Sequence, residues 1–417
     1  MRVAVIGTGY VGLPTGAGLA KLGHDVTCID CDRAKVEKLR AGEVTLFEEG
    51  LEELLKSGLE SGRLSFTDDM ADGVRGVQLV LLAVGTPPNL RTGQADLRYL
   101  FGAVREVAPF LPSNVVVAVK STVPVSTGDE VEALLRRLNP GARAEVISLP
   151  EFLREGYAVH DFFHPVRIVV GTESLRAREL IRELYAHLPN VPRFLFVARR
   201  SSEAIKYASN AFLAVKIHYI NEMADFCEAA GANIHEVAQG MGLDSRIGPA
   251  FLKPGPGYGG SCFPKDTKAI EHMARKLGVE LSLIRAAIKG NKKRRENMAQ
   301  RILREVEDIP SPKIAVWGLA FKEGTDDCRE SPAVEIVQRL ASHYVDVCVY
   351  DPQAMTTARR ILGDTVRYAP DMYSAAQGAD VLVILTEWPQ FDAADWKRVA
   401  SELHSHHILD FRFFKKR

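Results

Sequence analysis

The chain opens on a strand that ends in glycine, and the same opening returns in its last quarter. Arg2-Val3-Ala4-Val5-Ile6-Gly7 is echoed by Lys313-Ile314-Ala315-Val316-Trp317-Gly318. Val26-Thr27-Cys28-Ile29-Asp30 is echoed by Val347-Cys348-Val349-Tyr350-Asp351, and Leu79-Val80-Leu81-Leu82-Ala83-Val84 by Val381-Leu382-Val383-Ile384-Leu385-Thr386. Short, nearly unbroken apolar runs read as strands covered on both faces. Helical stretches at Val11–Leu22 and Arg33–Leu39 separate them, Val115–Val119 and Ala144–Ile147 extend the first series, and His407–Asp410 closes the second. Strands alternating with helices predict βαβ units and parallel sheets.

The middle differs. Ser201 to Ala230 contains no Gly or Pro, and Ile205, Ala208, Phe212, Val215, Tyr219 and Phe226 repeat at helical spacing. A second helical pattern runs from Leu281 to Val306. The expected fold class is α/β: two Rossmann-like doubly wound parallel-sheet domains joined by a helical domain with one long central helix. The expected boundaries are 1–198, 199–308 and 309–417. A helix so long and apolar along one stripe needs a partner, which predicts a homodimer.

Composition narrows the function. The 417 residues carry 53 Lys plus Arg against 53 Asp plus Glu, which argues against bulk electrostatic binding to nucleic acid or membrane. No apolar run reaches the ~20 residues of a membrane span, and the N-terminus reads as a strand rather than a signal peptide. Six scattered cysteines fit reduced thiols and a cytoplasmic location. Cys28-x-x-Cys31 lacks a second ligand pair, so no metal is expected. Cys28, Cys227 and Cys348 lie in apolar stretches and read as packing; Cys328 lies in a polar loop and reads as incidental.

Gly7-x-Gly9-x-x-Gly12 ends the first strand and opens a helix. Gly7 allows the tight turn, Gly9 lets a pyrophosphate approach, and Gly12 lets helix and strand pack closely; the helix N-terminus favours phosphate. Asp30 ends the second strand eighteen residues after Gly12. A carboxylate there suits a ribose 2′-OH and repels a 2′-phosphate, favouring NAD, although Arg33 stands close enough to hold a 2′-phosphate instead. Lys35 lies near the same adenosine end. Val84-Gly85-Thr86-Pro87 and Ser121-Thr122-Val123-Pro124 follow parallel strands, where α/β sheets bind ligands; Thr86 and Thr122 are placed to line nicotinamide and ribose.

Gly257-Tyr258-Gly259-Gly260-Ser261-Cys262-Phe263-Pro264-Lys265-Asp266 carries a loop cysteine beside two charged groups able to tune its thiol, a nucleophile pattern. Glu151 and Glu155, four apart after a strand, would face one way on a helical turn. Lys206 and Asn210 are likewise four apart, off the apolar stripe, and form a candidate clamp for alkoxide or oxyanion charge.

Taken with Pro150-Glu151-Phe152-Leu153, Lys206-Tyr207-Ala208-Ser209-Asn210 and Phe321-Lys322-Glu323-Gly324-Thr325, these segments resemble the UDP-glucose/GDP-mannose dehydrogenase family along nearly the whole chain. The resemblance implies a four-electron oxidation of a nucleotide-sugar C6 alcohol with two NAD and water. Phe152 and Arg167 point toward members that convert UDP-glucose to UDP-glucuronate; the alternatives are GDP-mannose or UDP-N-acetylhexosamine 6-dehydrogenation. A non-catalytic sensor could lose Cys262, Lys206 or Glu151, and all three are present.

By the same resemblance, Cys262 is the nucleophile. Lys206 and Asn210 stabilise oxyanions, Asp266 takes a proton through a water held by Thr122, and Glu151 is base or water-positioning partner. Gly7, Gly9, Tyr10, Val11, Gly12, Asp30, Lys35, Thr86, Thr122, Glu155, Lys265 and Arg329 fall to the cofactor. Glu151, Phe152, Leu153, Arg154, Glu155, Lys206, Asn210, Phe251, Leu252, Lys253, Pro254, Gly255, Gly259 and Lys322 fall to the substrate, and Arg246 to the substrate of a neighbouring subunit. Arg412, in Asp410-Phe411-Arg412, is a weaker substrate candidate.

Overall fold

Alternate residues of the central strands feed two separate apolar cores, which is why helices must cover both faces of the sheet. Val3, Val5, Leu79 and Leu81 pack on one side, while Ala4, Ile6, Val80 and Leu82 pack on the other. The computed structural model describes residues 1–89, 92–343, 345–405 and 407–412. It divides into two compact units, Met1–Ser209 and Asn210–Arg417.

The first unit carries β1 (Arg2–Ile6), β2 (Asp25–Ile29), β3 (Leu64–Thr67), β4 (Leu79–Leu82), β5 (Val116–Val119), β6 (Glu145–Ser148), β7 (Ile168–Gly171) and β8 (Phe194–Val197) in the order β3-β2-β1-β4-β5-β6-β7-β8. All neighbours pair in parallel except β6 and β7, which meet antiparallel through Ser148 and Gly171. β3, β7 and β8, of four residues each, are strands that the sequence pattern did not single out.

The second unit carries β9 (Lys313–Trp317), β10 (Asp346–Tyr350), β11 (Arg367–Tyr368), β12 (Val381–Ile384) and β13 (His407–Asp410), all parallel, in the order β11-β10-β9-β12-β13. This repeats the order of β1 to β5, so the sequence echo reflects a repeated topology. The echo stops at chemistry. Asp351, the counterpart of Asp30, accepts from the backbone N–H of Leu319, Ala320, Gln353 and Ala354 and from the Trp388 indole. With five internal donors it has no capacity left for a ribose.

The long helix spans Arg199–Ala230, 32 residues. Tyr207, Ala211, Ala214, Ile220, Ala224 and Cys227 are buried. The stripe picked out by helical spacing is largely the opposite face: Phe212, Tyr219 and Phe226 are 63%, 45% and 62% exposed. The Ser282–Arg304 helix reaches the long helix through polar partners, Arg294 to Asp225 at 2.8 Å and Arg301 to Glu228 at 2.7 Å, and leaves those three aromatic side chains uncovered. No described helix is long and apolar enough to cross a membrane.

Cys28, Cys227 and Cys348 are buried, but so is Cys328, contrary to its polar-loop reading. Asp327 beside it is buried and pairs with Arg329, while the Cys328 thiol packs within the apolar core of the second unit near Leu319 O.

Candidate active site

At the end of β1 the three glycines meet three different constraints. Gly7 has φ +99°, and a side chain there would strike Ala83 O; one at Gly12 would strike Gly7 O. At Gly9 a side chain would meet no protein atom within 4 Å, so packing does not explain that glycine. Tyr10 and Val11 complete the turn into the Gly12–Lys21 helix, whose first N–H groups have no side-chain cap. Close approach at Gly9 together with an uncapped helix N-terminus fits a dinucleotide pyrophosphate.

Asp30 closes this end. Its Oδ2 accepts from Thr8 N at 3.0 Å and Thr8 Oγ1 at 2.5 Å and pairs with Lys35 Nζ at 3.2 Å. Burial pushes the carboxyl up, but these donors outweigh it and hold Asp30 below the usual carboxylate range. Arg33 instead pairs with Glu37 at 3.2 Å on an exposed helix face. The two threonine loops are laced together: Thr86 Oγ1 donates to Thr122 O at 2.8 Å, and Ser121 Oγ donates to Val84 O at 2.6 Å.

Glu151 and Lys206 form a pair at 2.8 Å, with both side chains almost wholly buried. Glu151 Oε2 also accepts from Leu153 N at 2.6 Å. Burial works to raise the Glu151 carboxyl; Lys206, aided by the field of Lys120 and the Leu153 N–H, prevails and holds it below its ordinary value. Phe152 has the Arg167 guanidinium 4.1 Å from its ring centroid and Lys206 Nζ at 5.3 Å. The two sequence positions that separate family members, Phe152 and Arg167, are therefore in direct contact.

The expected helical turn through Glu151 and Glu155 does not form. Helix begins only at Ala158, because Glu48 captures the Gly156 and Ala158 N–H groups and Gly156 takes φ +81°. Arg154 turns to Asp161 at 2.6 Å. Glu48 was missed in the sequence, and so was Glu203. Its carboxylate accepts from Ser126 N and Gly128 N, both at 2.7 Å, and ties the Thr122 loop to the long helix. Neither acid lies in a motif, and only tertiary structure brings their partners close.

In the second unit, Cys262 is the N-cap residue of the Phe263–Lys276 helix, half-buried, with Ser261 Oγ 3.4 Å from its Sγ. A helix N-terminus favours a thiolate. Asp266 lies one turn on, fully buried, and accepts from Asn210 Nδ2 at 2.6 Å and from Lys265 Nζ. Lys265 is thus spent on Asp266. The glycine loop before Cys262 is clamped by the Ser282–Arg304 helix: Asn291 exchanges hydrogen bonds with both backbone groups of Tyr258, and Arg294 Nε donates to Gly255 O at 2.6 Å. Gly257 has φ +135°, and a side chain there would strike Asn291.

Phe251 to Gly255 lead into that loop; Leu252 and Pro254 are buried and Lys253 is exposed. Arg412 packs against Gly255, pairs with Glu387 at 2.9 Å and donates to Phe321 O, next to Lys322. Gly259 sits against Glu330 O. Arg329 is bound to Asp327, and exposed Arg246 to Asp244. Lys206 and Asn210, one turn apart on a single helix, therefore each hold a buried carboxylate, Glu151 and Asp266.

Three family models cover the chain: the NAD binding domain (residues 1–189), central domain (200–293) and UDP binding domain (315–416) of the UDP-glucose/GDP-mannose dehydrogenase family. A UDP-glucose 6-dehydrogenase of Rhizobium meliloti is 47% identical over 99% of this chain and 95% of its own length. A UDP-glucose dehydrogenase structure from Pyrobaculum islandicum superposes with TM-score 0.94 at 38% identity, covering 100% of this chain and 95% of the other. A UDP-D-ManNAc dehydrogenase from Pyrococcus horikoshii reaches 0.88 at 30%, covering 100% and 97%. The fold and its glycine-lined β1 turn define an oxidoreductase that binds NAD. The chain belongs to the UDP-glucose/GDP-mannose dehydrogenase family.

Proposed function

We propose that this chain is an NAD-dependent UDP-glucose 6-dehydrogenase, converting UDP-glucose, two NAD and water to UDP-glucuronate and two NADH. The observation that carries the reading is the buried Lys206–Glu151 pair, with Asn210 holding Asp266 one helical turn on. Gly7, Gly9, Tyr10, Val11, Gly12, Asp30, Lys35, Thr86 and Thr122 would hold NAD, with Glu155, Lys265 and Arg329 assigned beside it. When bound, NAD accepts the hydride in each oxidation.

The chain's own groups do the rest. Asp266 takes the proton of the C6 hydroxyl, Thr122 orders the relaying water, and Lys206 and Asn210 hold the alkoxide. The Cys262 thiolate adds to the aldehyde, which retains the reactive carbonyl as a thiohemiacetal. Its oxidation leaves a thioester, which water opens with Glu151 as base. Phe251 to Gly255 take the UDP half together with Lys322 and Arg412, the latter two within the UDP binding domain matched over 315–416. The reading keeps three functional regions, 1–198, 199–308 and 309–417, and a cytoplasmic site of action. Phe152 stacked under Arg167 favours UDP-glucose over GDP-mannose or N-acetylated UDP-sugars.

The reading includes a homodimer built on the exposed Phe212–Tyr219–Phe226 stripe, with Arg246 reaching the partner's substrate. Comparing NADH formation from UDP-glucose, GDP-mannose and UDP-GlcNAc tests the substrate directly. UDP-glucose should lead by at least ~100-fold in kcat/KM; a lead for another sugar overturns the assignment.

A further inference from the structure

Lys120 has no part in the chemistry above, yet it is 5% exposed. It stands directly after β5, its N–H donating to Leu82 O at 2.9 Å, and the next strand reaches Glu151 two residues beyond Leu149, whose N–H donates to Val119 O. Among the described residues its Nζ makes no hydrogen bond or ion pair. A largely buried lysine side chain makes its ammonium costly unless nearby negative charge compensates it. The charged groups whose fields reach it are the Glu151 carboxylate, on the segment after β6, and the Lys206 ammonium, on the long helix. Burial drives the Lys120 ammonium down to about 8, Glu151 pulls it up, and Lys206 pushes it down.

One ammonium pairs with the carboxylate and the field of a second reaches it, so the three groups together carry one excess positive charge. The reaction proposed above brings in one more negative oxygen, on the sugar C6. Lys206 cannot serve both anions fully, because its Nζ already lies 2.8 Å from Glu151 Oε1. Once Lys206 is drawn to the C6 oxygen, Glu151 keeps only the Leu153 N–H and the field of Lys120. Two cations then balance two anions.

We propose that Lys120 is a positioning residue for the hydrolytic step, holding Glu151 as a carboxylate while Lys206 is drawn to the C6 oxygen. This rests on the dehydrogenase reading. In that step the water oxygen bonds to the thioester carbon as Glu151 takes its proton. The carbon–sulfur bond then breaks, the pair of electrons leaves on Cys262 as thiolate, and the uronate forms without further oxidant.

The test uses the full chain with NAD and UDP-glucose, comparing Lys120→Met and Lys120→Arg with the parent. In Lys120→Met, the first hydride transfer in a single turnover should stay within about threefold. Thioester hydrolysis should slow by at least about tenfold, so that chain carrying a uronyl group on Cys262 accumulates in the intact-protein mass spectrum. The acidic limb of hydrolysis should move up by about one pH unit, because Glu151 loses a cation that favours its charged form. Lys120→Arg should restore that limb. Equal slowing of both steps, or an unmoved limb, overturns the proposal.

Should Lys120→Met not fold, Lys120→Gln carries the same comparison. If the parent makes no NADH from UDP-glucose, the dehydrogenase reading is what has failed. The Glu151 carboxyl infrared band, assigned by its loss in Glu151→Gln, then reads Lys120 separately. A band that titrates at higher pH in the Lys120 variant supports the charge-holding role, and an unchanged titration overturns it.

Discussion

Lys206 Nζ lies 2.8 Å from Glu151 Oε1 across 55 residues of sequence, and neither side chain exposes more than 6% of its surface. Breaking such a pair leaves an uncompensated buried charge, which costs about 3–5 kcal/mol. Lys206→Met should therefore unfold at lower urea near pH 7 and lose turnover. The Glu151 carboxyl is held below its ordinary value in the folded chain, so its contribution to stability is complete above the unfolded carboxylate value and fades as pH falls through the folded one. The gap between parent and variant should accordingly narrow on acidification. A gap that persists unchanged at low pH would show that the pair's charge does not contribute.

In the proposed reading the cofactor preference rests on Asp30. Thr8 and Lys35 fix its carboxylate and Arg33 is drawn to Glu37, so that reading sets negative charge against a 2′-phosphate. The parent should favour NAD over NADP by at least ~100-fold in kcat/KM, and Asp30→Asn should narrow that ratio by about tenfold. A preference for NADP would make Arg33 the dominant group.

Much of this architecture was legible because it is local. The glycine turn after β1, the acid ending β2 and the repeated β-strand series are written in adjacent residues. Cys262 stood out by its glycine-rich surroundings, and Lys206 and Asn210 by their four-residue spacing. What spacing could not show was which face of the long helix is buried. Asn210 and Asn221 turn inward because Asp266 and Gly255 supply partners from distant segments, while Phe212 and Phe226 remain outside. The helical turn expected through Glu151 and Glu155 was misread for the same reason, since Glu48 breaks it from over a hundred residues away. Cys328 and Lys120 sit in polar-looking sequence but are buried by tertiary packing.

Cys262 is the N-cap residue of the helix that carries Asp266 one turn on. Cys262→Ser should keep nucleotide-sugar binding within about threefold by calorimetry, yet lose at least about a thousandfold in kcat, because serine is a poorer nucleophile and its ester opens more slowly. Steady-state turnover like the parent's would exclude the covalent route.

The exposed aromatic stripe makes assembly testable by charge. Two glutamates placed there, Phe212→Glu and Phe226→Glu, would set like charges against each other across a two-fold axis. Sedimentation at micromolar concentration should show a dimer for the parent and a species near 45.9 kDa for the double variant. A fully active parent already at that mass would remove both the dimer and the shared role of Arg246.

The central claim is that one site oxidises one carbon twice without releasing the aldehyde. Its most direct measurement is the amount of NADH formed per UDP-glucose consumed, with the sugar product identified alongside. The account predicts two NADH and UDP-glucuronate, with no free aldehyde trapped by an added hydrazine. One NADH per sugar, with the aldehyde recovered as its hydrazone, would contradict it.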